Sequence, residues 1–459
     1  MKITLKRVPF EISLGTLIQP QIPQSEYEAR ANTLYETIGT DWVIIYGDRE
    51  HTANLTFVCG FDPRFEEAVL VLGPDSQRTL VVGNEGLGYT HTFRLQGSVV
   101  LCQSFSLMGQ PRSTAPRLTH LLRDIGLNKG CSVGLIGWKY LEPDECDEPT
   151  DSADPSFVPA MLVTAVKKVI GERGHVIDVT DSMMHPTRGI KSHNSAAQIA
   201  TFEWAAARAS SCVFRAIQHA RPGTSERDVA AEMRYEGEPL TCHTMMTTAG
   251  ADAPVIGLCS PTDRVIQWGD GASIAMGLRG SLCARAGLIR DTPDDSFFTT
   301  FVQPYFSAIA TWWATMRISV TGDAVNAAVM SSLSGSGIQP LLNPGHLVSI
   351  DEWTHTPIRP TSIEQIGSGM VFQCDVIPTP MPNGTSLNCE DTVAVADESL
   401  RAQIRSAYPE MWSRIEHRRA LMQDALGIAL AAELLPLSIA PACLPPFWMS
   451  SEYVCAVEV

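Results

Sequence analysis

The side chains best suited to chemistry fall in one stretch of the chain, 344–391. His346 follows Pro344-Gly345. Asp351 and Glu352 come next, then His355; Asp375 leaves the strand-like run Val371-Phe372-Gln373-Cys374, and Glu390 opens a Val-rich run. An imidazole and carboxylates in this order suit two tasks: holding a hard dication or moving protons at a reacting bond. His243, in the strand-like run 239–246, is a further candidate for proton transfer. Asp351 and Glu352 read equally well as cleft carboxylates and as solvated acids of a turn.

An earlier hairpin, 269–290, has the opposite character. Between Asp270 and Asp291 there is no Asp or Glu, and Arg279, Arg285 and Arg290 stand there instead. Two neighbouring dications need several anionic oxygens, one of them bridging. A hairpin without acids and with three guanidinium groups works against that.

Five short motifs in fixed order carry a resemblance. They are Arg188-Gly189-Ile190-Lys191-Ser192, Gly269-Asp270, Gly345-His346, Gly369-Met370 and Glu390-Asp391-Thr392. Together they resemble the pita-bread peptidases, which include methionine aminopeptidase, aminopeptidase P, prolidase and creatinase. The resemblance implies five ligand columns, Asp, Asp, His, Glu and Glu, around two metal ions. The last three columns fall on His346, Asp375 (in place of the usual Glu) and Glu390, while the two Asp columns fall on Ala275 and Ala286. The expectation is therefore a pita-bread protein without the metal centre and with no cofactor. His346, His243, Asp375 and Glu390 are the expected catalytic residues, and Arg285, Asp351 and His355 the expected substrate-binding ones. Asp375 and Glu390 are expected to be neighbours on the cleft floor, where like charges raise a pKa or call for a cation. That cation is Arg285 or Arg279, or else a cationic group of the substrate.

The family's second substrate-contacting His has no match after Gly250-Ala251-Asp252-Ala253, where Val255-Ile256-Gly257-Leu258 follows. The resemblance then implies one of three functions. The first is a creatinase-like, metal-independent hydrolase of a C–N bond in a small amide, amidino or peptide-like substrate. The second is a catalytically inactive homologue acting as a binding or scaffold protein. The third is an Xaa-Pro aminopeptidase or dipeptidase with a non-standard metal site. A homodimer is also implied.

The elements that must position these residues follow from periodicity. Residues 1–184 read as an α/β domain similar to the N-terminal domain of creatinase and prolidase, with a helix at 26–39 and apolar strands at 42–47, 54–58, 68–72 and 79–83. A helix at 116–125, a strand at 131–137, a helix at 156–169 and a strand at 176–179 complete it. Apolar runs of this kind have both faces covered. Residues 185–459 read as an α+β pita-bread domain with a helical tail. A long Ala-rich helix at 194–220 ends at Arg221-Pro222-Gly223, and a short capped helix follows. A helix at 295–316 and a short one at 322–333 repeat the pattern, as the two halves of that fold require. The stretch 401–426 is helical with a break at Pro409, and Phe447-Trp448 is apolar enough to dock on the body.

Composition narrows the classes. The chain has 459 residues, 44% hydrophobic and 18% charged, with a net charge of −16. That acidity opposes binding to nucleic acid or to an anionic membrane surface, and no run has the length and apolarity of a membrane span. Twelve scattered Cys without Cys-x-x-Cys pairs, and an N-terminus unlike a signal peptide, lead to the expectation of a cytoplasmic protein with reduced thiols.

Overall fold

The computed structural model describes residues 1–9, 17–113, 115–291 and 293–458. The chain divides into two compact units, Ile22–Ser192 and Met1–Gln21 with His193–Val459. The first residues of the chain thus belong with the larger unit rather than with the N-terminal one. The reason is a strand pair: Ile3–Arg7 runs antiparallel to Tyr453–Val457, with Leu5 opposite Cys455.

In the smaller unit six strands form one sheet, in the order Ser98–Leu101, Arg78–Val82, Ala68–Leu72, Trp42–Gly47, Ser132–Ile136 and His175–Asp178. The apolar runs read from the sequence are its buried centre. Helices Leu118–Ile125 and Ala160–Ile170 place Leu121, Leu122, Leu162 and Val166 in one core with Ile44, Val71 and Leu135. One expectation is corrected. Residues 54–58 are not a strand but part of the helix Ala53–Cys59, ended by Gly60 at φ 75°. Leu55, Val58 and Cys59 have helical spacing, which so short an apolar run cannot distinguish from a strand. The polar members also find partners: the Asn54 amide donates to the Gly137 carbonyl at 2.7 Å, and the Thr56 hydroxyl to that of Phe61 at 2.9 Å.

The larger unit is built on an antiparallel sheet. Its path runs His346–Leu347, Val371–Cys374, Asn388–Val395, Ser281–Leu288, Gly271–Leu278, Met245–Ala249, with Leu434–Pro436 on Asn388–Val395. The hairpin between Gly271–Leu278 and Ser281–Leu288 turns at Gly280, φ 102°, where an added Cβ would sit 2.1 Å from the Phe202 ring. Two long helices, Ala196–His219 and Gln303–Thr315, are each followed by a short one, Glu226–Ala231 and Gly322–Leu333. Ser225 and Thr321 cap the short helices by accepting from the backbone N–H three residues on. The doubled pattern read from the sequence is therefore present. The 295–316 segment is not one continuous helix, however: residues 298–302 form a widened turn just before Pro304, which lacks the N–H needed for a regular ladder. In the tail Glu398–Ala407 and Pro409–Ala420 are separate helices, and Phe447 and Trp448 are buried. The Leu288 N–H donates to the Pro446 carbonyl at 2.9 Å, which fixes that end on the hairpin.

Candidate active site

Strand pairing decides which side chains share a face. Met245 stands opposite Ala275, Ala275 opposite Ala284, and Ala284 opposite Glu390. This row crosses four strands, and it shares its face with Ala286 and Ser273, which are paired two residues along. The positions that the resemblance assigns to the two Asp ligands, Ala275 and Ala286, therefore lie on the Glu390 face and bring methyl groups to it. A two-ion centre of the implied five-ligand kind does not fit these residues.

A different set of acids gathers around His346. This residue lies on the edge strand His346–Leu347, paired with Gln373, and is fully buried. Its Nε2 is 3.1 Å from Glu352 Oε1 and 4.0 Å from Asp375 Oδ2. The Glu352 contact is an ion-pair approach and the nearest partner Nε2 has; the buried Asp375 Oδ1 has no hydrogen-bond partner. One donor atom each from His346, Glu352 and Glu390 lies within 4.8 Å of the others. The indole of Trp353 stacks on the imidazole with centroids 4.0 Å apart and planes 18° apart. His346 Nδ1 lies 3.2 Å from the Leu347 carbonyl.

The electrostatics follow from this crowding. Burial raises the Asp375 carboxyl to about 6, with His346 pulling it back and Glu352 pushing it further up. Burial raises Glu390 well above the ordinary carboxylate range, and Asp375 and Glu352 add to the effect. For His346 burial acts downward, but Glu352 and Asp375 outweigh it, and the net direction is up. Burial and the neighbouring acids thus favour protons on Asp375 and Glu390, while the same acids favour the charged imidazole.

The other expected residues are placed elsewhere. Arg285 does not reach the carboxylates of Asp375, Glu390 or Glu352. It stands opposite Cys389, so it leaves the sheet on the side away from Glu390. There it is completely buried, donating to the carbonyls of Cys443, Glu390 and Ala440 and to Asp391 Oδ2 at 2.7 Å, under the Phe214 ring. Its guanidinium is a structural pin, and the expectation of a substrate contact at Arg285 is corrected. Among the described residues no arginine pairs with Asp375 or Glu390.

His243 is exposed, and its Nε2 bonds the Leu258 carbonyl at 2.8 Å rather than any buried acid. Asp351 Oδ1 accepts from the Thr354 hydroxyl at 3.0 Å, within its own turn. His355 Nδ1 accepts from the Thr356 N–H at 2.8 Å, while its backbone pairs with Leu347. Asp270, the anchor of the hairpin motif, accepts from Arg264 at 2.6 Å and from the Gln267 N–H at 2.8 Å, which closes a loop. Of the two readings open for Asp351 and Glu352, the turn acid fits the first and the cleft carboxylate the second. Trp353 carried no signal in the sequence beyond following two acids.

No protein-family model matches the chain, and no curated protein matches it in sequence. Solved structures do. Prolidase from Pyrococcus horikoshii OT3 is 16% identical, with a TM-score of 0.61 over 81% of this chain and 95% of that one. Prolidase from Thermococcus sibiricus is 15% identical, with a TM-score of 0.63 over 82% and 96%. An X-Pro aminopeptidase from Thermotoga maritima MSB8 is 14% identical, with a TM-score of 0.58 over 80% and 96%. At such identities the likeness establishes the fold, which is that of the pita-bread peptidases with their N-terminal domain. Among the described residues no helix is long and apolar enough to cross a membrane.

Proposed function

We propose that the chain hydrolyses an amide bond in a short peptide-like substrate, of the Xaa-Pro kind, with a non-standard site made by His346, Glu352, Asp375 and Glu390. The observation that carries this reading is the convergence of the four side chains, with Oδ1 of Asp375 buried and without a hydrogen-bond partner. Buried polar atoms are normally satisfied, so the unpartnered Oδ1 of Asp375, beside an imidazole Nε2 that meets only carboxylates, marks a place prepared for something else. The Xaa-Pro bond is suggested by the solved neighbours, which include prolidases and an X-Pro aminopeptidase.

In this reading Glu390 and Asp375 exchange the proton between attacking water and leaving amine. Asp375, raised by burial to about 6, suits that task near neutral pH. His346, held flat by Trp353, orients the acids around it. The methyl floor of Ala275 and Ala284 keeps bulk water away from Glu390.

A metal-free, creatinase-like version of the same chemistry is the second reading, favoured by Ala275 and Ala286 where acids are expected. A silent scaffold is less well supported, because Arg285 fills no cleft. Homodimer formation and a cytoplasmic location remain part of the proposal.

The test is a panel of Xaa-Pro dipeptides, Xaa-Pro-Xaa tripeptides and creatine, assayed with the wild-type chain and Glu390→Gln. Release of the N-terminal residue, reduced at least about 100-fold in the variant, supports the proposal. Failure to cleave any peptide, with or without added Mn²⁺, overturns it.

A further inference from the structure

We propose that the smaller unit carries a binding site of its own, for a small organic cation with N–H donors, a guanidinium or a primary ammonium, at the sheet end marked by Asn54, Trp138 and Asp178. The site lies within Ile22–Ser192 and is independent of the hydrolase reading.

Topology sets the place. Strands Trp42–Gly47, Ser132–Ile136 and His175–Asp178 are neighbours and run parallel, so their carboxyl ends lie together. From Trp42–Gly47 the chain passes on to Ala68–Leu72, its neighbour on one side. From Ser132–Ile136 it passes on to His175–Asp178, on the other side. The connections of the first two strands therefore diverge between them. In an open α/β sheet such a divergence, outside the carboxyl ends of the strands, is where ligands bind.

Three hydrogen bonds in series cross this end. The Asn54 amide donates to the Gly137 carbonyl at 2.7 Å, the Gly137 N–H to the Thr180 hydroxyl at 2.9 Å, and the Thr180 N–H to Asp178 Oδ1 at 2.9 Å. The oxygens at the two extremities of the series, Asn54 Oδ1 and Asp178 Oδ2, are buried and have no hydrogen-bond partner. Asn54 is only 3% exposed, so bulk water does not satisfy it. Buried acceptors of this kind normally hold a donor. Aromatic side chains stand at the same end. Trp138 has His51 stacked on it with centroids 4.3 Å apart, Phe157 edge-on at 5.9 Å and Tyr46 tilted at 6.0 Å. Trp138, His51 and Phe157 are partly exposed. Asp48 accepts from the Tyr46 hydroxyl at 2.9 Å, and Asp181 adds negative charge near Asp178.

The unmet groups define the ligand. Both orphan atoms are oxygens in an acidic neighbourhood, which repels an anion. The nearby cations are engaged: Arg188 pairs with Asp181 at 3.0 Å, and Lys139 lies over the Phe157 ring. Aromatic rings attract cations, and a carboxylate oxygen pairs best with a charged N–H donor. A neutral donor would satisfy Asn54 and leave the charge of Asp178 uncompensated.

The experiment titrates methylguanidine into the full chain at neutral pH, by calorimetry. Tetramethylammonium serves as a cation without N–H groups and N-methylurea as an uncharged donor. One methylguanidine per chain is expected, with Kd on the order of 1 mM, and both controls at least about tenfold weaker. Asp178→Asn is expected to weaken methylguanidine binding at least about tenfold, with circular dichroism unchanged. Crystals soaked in methylguanidine should show it bonded to Asn54 Oδ1 and Asp178 Oδ2. Absence of saturable binding, either control binding as tightly, an affinity indifferent to Asp178→Asn, or a water alone on the two oxygens in the soaked crystals would each overturn the proposal.

Discussion

Arg285 and Asp391 form a fully buried ion pair, Nη2 to Oδ2 at 2.7 Å, on the face of the sheet turned away from Glu390. Asp391 is the next residue after Glu390, and in an extended strand neighbours point to opposite faces. Two adjacent acids therefore do different work: Asp391 receives the guanidinium and the Ala442 N–H at 2.8 Å, and Glu390 joins His346 and Glu352 on the other face. The guanidinium also takes carbonyls from two segments, Ala440 and Cys443 in one turn of the tail and Glu390 in a central strand, tying the tail to the sheet.

Arg285→Met should accordingly destabilise the larger unit by roughly 3–5 kcal/mol, because it leaves a buried carboxylate uncompensated. The double variant Arg285→Met/Asp391→Leu should recover much of that loss. Urea unfolding of the three proteins checks this. Equal midpoints for the wild type and the single variant would show that the pair contributes nothing.

A second prediction concerns the smaller unit. Burial raises the Asp178 carboxyl to about 6, although the Thr180 N–H donates to one of its oxygens; the other, buried oxygen has no partner. The folded state holds this proton more tightly than the unfolded one. The stabilisation is complete below about pH 4 and is lost as pH rises through about 6. At neutral pH the ionised group costs on the order of 1–3 kcal/mol. Asp178→Asn should flatten the stability profile between those pH values and raise the melting temperature at pH 7. A profile parallel to that of the wild type would contradict the assignment.

A third prediction restores what the hairpin lacks. Ala275→Asp/Ala286→Asp places two carboxylates on the Glu390 face, by the pairing that sets Ala275 opposite Ala284 and Ala286 opposite Ser273. Without metal the variant should be less stable, since unpaired buried acids cost several kcal/mol. With saturating Mn²⁺ it should take up two ions per chain and regain stability. Uptake of a single ion would show that these are not the positions of the missing ligands.

Much of the site was legible because its elements are marked by order: Gly345-His346, then Asp375 at a strand end, then Glu390 at a strand start. The absence of acids between Asp270 and Asp291 was equally visible, and the register puts Ala275 and Ala286 on the Glu390 face. Arg285 was misread because the face of a strand residue depends on its partner, and one position of register reverses it. Sequence proximity to lost acids suggested a plug, whereas pairing with Cys389 sends the side chain the other way. Glu352 and Asp351 could not be separated, since a loop has no period to say which of two adjacent acids turns inward. The helix at Ala53–Cys59 was lost to a similar ambiguity, a short apolar run without length to arbitrate.

What binds beside His346 decides whether this cluster of acids is a site. Crystals of the full chain soaked with a slowly cleaved Xaa-Pro peptide measure this directly. The prediction is peptide density beside His346, with the scissile amide within hydrogen-bond distance of Asp375 or Glu390. Peptide bound elsewhere, or none at saturating concentration, would contradict it.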